Sequence, residues 1–262
     1  MALILICAGP AAFVAGPAQA APTPPPTITA PSAILVEYPS GKILYAKNPH
    51  QRLPEASTTK TMTALLALQR VALTDVVTAT AADLVGESTM GLAEGEQQTV
   101  MNLLYGLLLP SGNDAAMVLA RHVGNGLKEP ATADPVARFV ALMNAQAAQM
   151  GLTDTHYMNP HGFDDPNHYS SVYDLASIAW YDLHNPVFNE VVRQAFHDVP
   201  GHSLQNTDEM LTRYPGADGI KTGWTDIAGN CFVGSATRNG RRLITVTLDE
   251  PHGFEWPDNS AL

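Results

Sequence analysis

The chain has 262 residues, enough for one large domain or two small ones. With 45 % apolar and 15 % charged residues, it has the composition of a globular protein with an ample core and not of a disordered one. The net charge is −11, from 25 acidic and 14 basic residues, and no basic run or aromatic-interleaved basic patch occurs, which argues against a nucleic-acid partner. An anionic ligand would have to be met by local cations such as Lys221.

Residues 1–20 contain no charged residue and end Ala18-Gln19-Ala20, a small-x-small cleavage signature. They read as a secretory signal peptide cut after Ala20, although the usual positive start is missing. An uncleaved anchor helix is the alternative, disfavoured by Gly9, Pro10, Gly16 and Pro17. Removal of the signal would leave Cys231 as the sole cysteine, so no intramolecular disulfide is expected. Cys231 itself reads as a small buried apolar residue. Residues 21–31, rich in Pro and Thr, are expected to form an extended spacer, and residues 32–262 the folded catalytic domain.

Residues 33–38 are strand-like, 39–42 form a turn, and 43–46 pair back as a hairpin. A small hydroxyl residue, Ser57, precedes the apolar, helix-favouring run 62–68, which is a helix-start signal. Residues 74–80 read as a strand and 86–95 as a loop or small strand pair. Helices are expected over 99–109, 114–123, 134–150, 173–183 and 186–193. In the third of these, Val136, Phe139, Val140 and Met143 repeat at 3-and-4 spacing, and Gly151 is the C-cap candidate. The tail is β: strands over 216–224, 231–237 and 241–248, with a turn over 226–229 and the hairpin signal Asn239-Gly240. Strands at both ends around a helical block predict an antiparallel sheet closed by N- and C-terminal strands, with helices packed against it.

Three stretches carry chemistry. Ser57 and Lys60 are three apart and share a helix face, their Cβ atoms roughly 5–6 Å apart. A lysine kept neutral can take the proton of a serine hydroxyl and make it a nucleophile. Taken alone, the pattern reads as a capping serine with a solvated lysine. Pro110-Ser111-Gly112-Asn113 is turn chemistry between two apolar helical runs, and by itself reads as a helix–helix connection. Gly219-Ile220-Lys221-Thr222-Gly223-Trp224 puts a cation, a hydroxyl and a glycine in register, which also suits a solvated strand.

Together the three give Ser-x-x-Lys, Ser-x-Asn and Lys-Thr-Gly, in that order. The set resembles the active-site serine, penicillin-recognising family, and most closely its D-alanyl-D-alanine carboxypeptidases, the low-molecular-mass penicillin-binding proteins. The flanks agree: Leu108-Leu109-Pro110-Ser111-Gly112-Asn113-Asp114-Ala115-Ala116 and Asn159-Pro160-His161-Gly162. The similarity runs from Ala33 to Leu248. It implies an α/β (α+β) sandwich of the β-lactamase/transpeptidase type, with the site between the helical region and the edge strand bearing Lys221.

The resemblance implies that Ser57 attacks the carbonyl between the two D-alanines of a peptidoglycan stem peptide, and that Lys60 takes the hydroxyl proton. Ser111 relays a proton to the leaving amine, and Asn113 hydrogen-bonds the substrate amide. Lys221 and Thr222 hold the terminal carboxylate, and Gly223 allows close approach. The backbone N–H groups of Ser57 and Trp224 form the oxyanion hole. The family often has His where this chain has Trp224, which puts the substrate fit at that point in doubt. β-Lactams are implied as acylating ligands, with no cofactor and no metal. The implied setting is the periplasm, the outer face of the membrane or cell wall, or the medium.

Three alternatives stand beside this. A class A β-lactamase has Ser-Asp-Asn in place of Ser111-Gly112-Asn113 and a Glu-x-x-Leu-Asn loop, not found here. A zinc peptidase would draw on His156, His161, His168, Asp164 and Asp165, but no compact metal-binding spacing occurs. A non-catalytic penicillin-binding domain has no need of Ser57 with Lys60. After Leu248 the chain is polar with two prolines, Pro251 and Pro257. Relatives usually add an amphipathic helix there, and many add a β-rich domain and a membrane-binding helix. None of these is expected from this tail, and both a compact secreted form and a chain cut short remain open.

Overall fold

Asn239 and Gly240 both have positive φ, 51° and 77°, the conformation that a two-residue hairpin turn demands. They join β8 (Gly229–Arg238) to β9 (Arg241–Glu250), with Arg238 opposite Arg241. On the other side of β9 lies β1 (Ser32–Tyr38), which pairs back with β2 (Ile43–Lys47). β7 (Ala217–Thr225) pairs with β8 and forms the edge. The result is a five-stranded antiparallel sheet in the order β2-β1-β9-β8-β7. The computed structural model describes residues 24–128, 134–253 and 255–262, so the expected signal peptide lies outside the described residues.

Side chains alternate across a strand, and the buried set Ile244, Val246 and Leu248 follows that period along β9. Ile34 and Val36 of β1 and Cys231 and Val233 of β8 are buried as well. α5 (Val172–Asp182) packs against β1 and β9. α1 (Lys60–Arg70) packs on α5 and is buried over most of its length. Such a helix, with no solvent face until its end, belongs at the centre of a helical layer. Around it pack α2 (Val100–Leu108), α3 (Asn113–Asn125) and α4 (Pro135–Gln149). Phe139 and Met143 of the expected apolar stripe are fully buried. Asp134 caps α4 by accepting from the Val136 N–H, and Gly151 follows its C-terminus at φ +73°, as the αL cap requires.

Several elements differ from expectation. The strand expected over 74–80 is only β3 (Val76–Thr78), paired with β4 (Gln97–Thr99). After α6 (Pro186–Val192) comes a hairpin that the sequence pattern did not reveal, β5 (Phe196–Val199) with β6 (His202–Gln205). A single turn of helix, α7 (Met210–Arg213), then leads into β7.

The polar tail, expected to carry no helix, forms α8 (Glu255–Ala261). It lies against β8 and β9, with the Trp256 ring edge-on to Phe232 at 5.5 Å. Asn259 Oδ1 accepts from Thr245 Oγ1, and its Nδ2 donates to Thr247 Oγ1, both at 2.9 Å. These polar contacts to strand threonines replace the apolar stripe by which a sheet-packed helix is normally recognised. Asp258 Oδ2 accepts from the Thr29 N–H, Thr29 Oγ1 and the Ala30 N–H. Residues 24–31 therefore do not behave as a free spacer: Ile28 and Ala30 are buried. Among the described residues no helix is long and apolar enough to cross a membrane.

Candidate active site

Ser57 does not cap a helix with its side chain. It sits in a 3₁₀ turn, Ala56–Thr59, that runs into α1. Ala56, just before it, is held at φ +48°, a conformation that costs a residue with a Cβ of order 1–3 kcal/mol. The surroundings over-determine the turn. Glu55 is fully buried, and its carbonyl accepts from both the N–H and the Oγ1 of Thr58. Glu55 Oε1 accepts from Thr59 Oγ1 at 3.0 Å.

Lys60 Nζ is fully buried and has three neighbours: Ser57 Oγ at 2.8 Å, Asn113 Oδ1 at 2.7 Å and the His161 carbonyl oxygen at 2.7 Å. The last two accept hydrogen bonds only. A neutral amine has two N–H donors and one lone pair. With both donors committed to Asn113 and His161, the lone pair is left facing Ser57 Oγ. Burial, and next the charge of Lys221, hold the Lys60 ammonium well below its ordinary pKa. Geometry and electrostatics thus agree on a neutral amine beside a hydroxyl.

The loop that supplies the His161 carbonyl is organised by Asn159. Its Oδ1 accepts from the N–H groups of His161, Gly162 and Phe163. Gly162, at φ +97°, passes so close to the nucleophile turn that a Cβ would lie 2.0 Å from the Ala56 oxygen. The His161 ring is pushed down to about 3 by burial and then by Lys60, and so stays neutral. The three histidines weighed as metal ligands do other things. His156 bonds to the Asn167 carbonyl oxygen, and His168 contacts Glu55, Thr59 and the Met158 N–H. Among the described residues no group of three or more His, Cys, Asp or Glu side chains is placed to hold a metal ion.

The Ser111-Gly112-Asn113 turn enters between α2 and α3. Ser111 has φ +63°, is buried, and its Oγ has no hydrogen-bond partner. Asn113 uses Oδ1 for Lys60 and Nδ2 for the Gly86 carbonyl oxygen at 3.0 Å. A residue outside the expected set ties the next segment to this turn: the buried Asp114 carboxylate accepts from the N–H groups of Met90, Gly91 and Leu92 and from Thr89 Oγ1.

From the sheet, β7 brings Lys221, Thr222, Gly223 and Trp224. Lys221 is buried and donates to the Thr222 carbonyl oxygen at 2.8 Å. Burial lowers it to about 7. Thr222 Oγ1 lies 2.5 Å from Thr207 Oγ1. Ser57, Ser111, Thr222, Gly223 and Trp224 line one cavity of about 260 Å³. Ser88, Thr207, Asn230, Cys231, Phe232 and Trp256 complete its wall and come from segments with no motif to announce them. Lys60, Asn113 and Lys221 lie behind this surface. Cys231 is buried with its thiol pushed up by desolvation, so it stays a thiol, the inert form.

An α/β sandwich with a serine hydroxyl against a buried lysine, beside an edge strand that bears a second lysine, has the arrangement of a serine acyl-transfer protein. The family model described as D-alanyl-D-alanine carboxypeptidase, peptidase family S11, matches residues 18–252, and the chain belongs to that family of serine peptidases. It is 38 % identical over 232 residues to the D-alanyl-D-alanine carboxypeptidase DacB2 of Mycobacterium tuberculosis, covering 86 % of this chain and 76 % of that one. To DacF of Bacillus subtilis it is 35 % identical, covering 84 % of this chain and 57 % of the relative. The chain thus spans little more than half the length of some relatives. In structure it is similar to the Streptomyces K15 DD-transpeptidase, with a TM-score of 0.82 at 33 % identity over 91 % of this chain and 96 % of that one.

Proposed function

We propose that the chain removes the terminal D-alanine of peptidoglycan stem peptides through an acyl-enzyme on Ser57. The observation that carries this is the Lys60 amine, 2.8 Å from Ser57 Oγ with acceptors on its other two sides. Lys60 takes the Ser57 proton as Oγ attacks the carbonyl between the two D-alanines. The developing oxyanion is held by the backbone N–H groups of Ser57 and Trp224. Ser111 passes a proton from Lys60 to the leaving amine, and Lys221 with Thr222 holds the terminal carboxylate. Asn113 supports Lys60, and its second Nδ2 hydrogen is available to the substrate amide. Once D-alanine departs, water enters where it lay, and Lys60 serves again as base.

A β-lactam is a strained amide of similar shape, so it acylates Ser57 by the same route. Its leaving amine stays tethered and blocks the path of water. No carboxylate is among the described residues lining the cavity, which supports slow release of the adduct over a β-lactamase reading. The substrate class places the reaction outside the cytoplasmic membrane. Incubation of residues 21–262 with a fluorescent penicillin, beside Ser57→Ala, tests the reading. Label on Ser57, lost in the variant, together with D-alanine release from a D-Ala-D-Ala peptide, is expected. Folded protein that takes no label sinks the proposal, and label without D-alanine release favours a receptor.

A further inference from the structure

His168, outside all three motifs, is buried against the nucleophile turn. Its Nδ1 accepts from the Met158 N–H at 3.1 Å. A ring nitrogen that accepts carries no hydrogen, so the ring hydrogen is on Nε2. Nε2 lies 2.8 Å from Thr59 Oγ1 and 3.2 Å from Glu55 Oε1. The Thr59 hydroxyl therefore accepts from His168 and directs its own hydrogen into the turn. There the Ala56 carbonyl oxygen is 2.8 Å away and Glu55 Oε1 3.0 Å. A chain of contacts thus runs from the Met158 backbone, through His168 and Thr59, to the residue held at φ +48° just before Ser57. The same loop supplies the His161 carbonyl oxygen to Lys60 and the Pro160 carbonyl oxygen to Thr63 Oγ1, both at 2.7 Å. Beyond it, Leu53 and Ser170 exchange backbone hydrogen bonds at 2.9 and 3.0 Å.

We propose that His168 is a positioning residue for acylation: as its Nε2–H tautomer it fixes Thr59, and through Thr59 the Ala56–Ser57 turn, against the loop that supplies the His161 carbonyl. This rests on the acyl-transfer reading of the same site. Lys60 is held by α1, a regular helix, whereas Ser57 lies in a 3₁₀ turn of four residues, where backbone hydrogen bonds have poorer geometry. That turn also contains the positive φ of Ala56, which the local backbone disfavours. Contacts from another segment must therefore keep Ser57 Oγ at 2.8 Å from Lys60 Nζ. His168 supplies them at the point where Thr59 and Glu55 Oε1 meet, and Glu55 Oε2 has no hydrogen-bond partner of its own. The fully buried Tyr157 ring stands edge-on to the imidazole at 5.7 Å and packs it in place. The groups assigned to ligand binding, Ser111, Lys221 and Thr222, come from other elements. Loss of the clamp thus slows attack without weakening non-covalent binding.

Stopped-flow reaction with a chromogenic β-lactam, resolved into a non-covalent dissociation constant and an acylation rate constant, tests this in wild type, His168→Leu and His168→Gln. In His168→Leu the rate constant should fall by about 10- to 100-fold, the scale of a displacement of up to about 1 Å, with the dissociation constant within about twofold. A glutamine amide can still donate to Thr59, so His168→Gln should recover most of that loss. Lower melting temperatures with wild-type acylation rates in the folded variants mean a packing role and overturn the inference. So does equal slowing by leucine and glutamine. Thr59→Val removes the hydroxyl in the chain of contacts. It should slow acylation as His168→Leu does, and the double variant should be little slower than either. Losses that multiply overturn the shared path. If His168→Leu does not fold, Thr59→Val carries the test, and a wild-type rate in it overturns the inference. In wild type alone, ¹⁵N shifts of the His168 ring at neutral pH should show hydrogen on Nε2 and none on Nδ1. Hydrogen on Nδ1 overturns it as well. Wild type that is not acylated removes the acyl-transfer reading and this inference with it, whereas normal wild-type acylation with unslowed variants removes this inference alone.

Discussion

Gly223 and Ser57 meet backbone to backbone. A Cβ on Gly223 would lie 2.9 Å from the Ser57 nitrogen and 3.1 Å from the Ala56 Cβ. The edge strand of the sheet is thus seated directly on the nucleophile turn, with no room for a side chain between them. Gly223→Ala must push the two apart by a few tenths of an ångström or more. A misplacement that grows to about 1 Å costs about 10²-fold in a positioned reaction. Stopped-flow acylation by a chromogenic β-lactam should therefore fall by about that factor, while melting temperature changes by only a few degrees.

In the proposed reaction Lys60 sets the pH dependence of acylation, as a base that acts when neutral; burial together with Lys221 lowers its pKa. Acylation should rise with pH through that lowered pKa and level off well below pH 10. A profile flat from pH 5 to 10 would count against the assignment. Lys60→Met should cost about 10²–10⁴-fold in acylation, the range for loss of a general base, with the fold intact by circular dichroism.

Asp114 is a stability residue behind the site. Its carboxylate accepts from three consecutive backbone N–H groups, Met90, Gly91 and Leu92. Asp114→Ala leaves the buried Met90 and Leu92 donors unpaired, at about 1–3 kcal/mol for each donor that water cannot reach. A loss of about 3 kcal/mol or more is expected by urea unfolding, with a melting temperature lower by about 10 °C for a domain of this size.

Asp258 joins the two ends of the chain through Thr29 and Ala30. Asp258→Ala should release residues 28–30 from α8. Amide exchange there should accelerate at least tenfold, with about 1–2 kcal/mol lost locally. Exchange in α2 and α3 should be unchanged, and equal acceleration in those helices would refute a local tether.

Elements with strong periodic or turn signals were legible in the sequence. α4, with its 3-and-4 stripe and Asp134 cap, is one example, and the β8–β9 hairpin at Asn239-Gly240 is another. β5 and β6 were not, because four-residue strands with an exposed Phe196 show no period long enough to read. α8 was missed because it docks through asparagine and aspartate, whose partners lie far away in the chain. In the site, Ser57, Lys60, Ser111, Asn113 and Lys221 to Trp224 were named from three motifs and the family resemblance that these carry together. Ser57, however, was expected on a helix face as a cap. It lies instead in a strained turn held by Glu55 and pressed by Gly162 and Gly223.

What the sequence determines by itself is what is local or carried by a motif. That covers the helices α1 to α6, the tight turns and the antiparallel class of the sheet, which rest on local pattern, and the candidate site residues, which rest on three motifs and the family resemblance they carry. The tertiary structure alone decides the charge state and the aim of those groups. Lys60 Nζ is met by Asn113 and His161, from distant segments, which leave its remaining position facing Ser57. A side chain's pKa and orientation depend on what surrounds it in space, and chain order does not specify that.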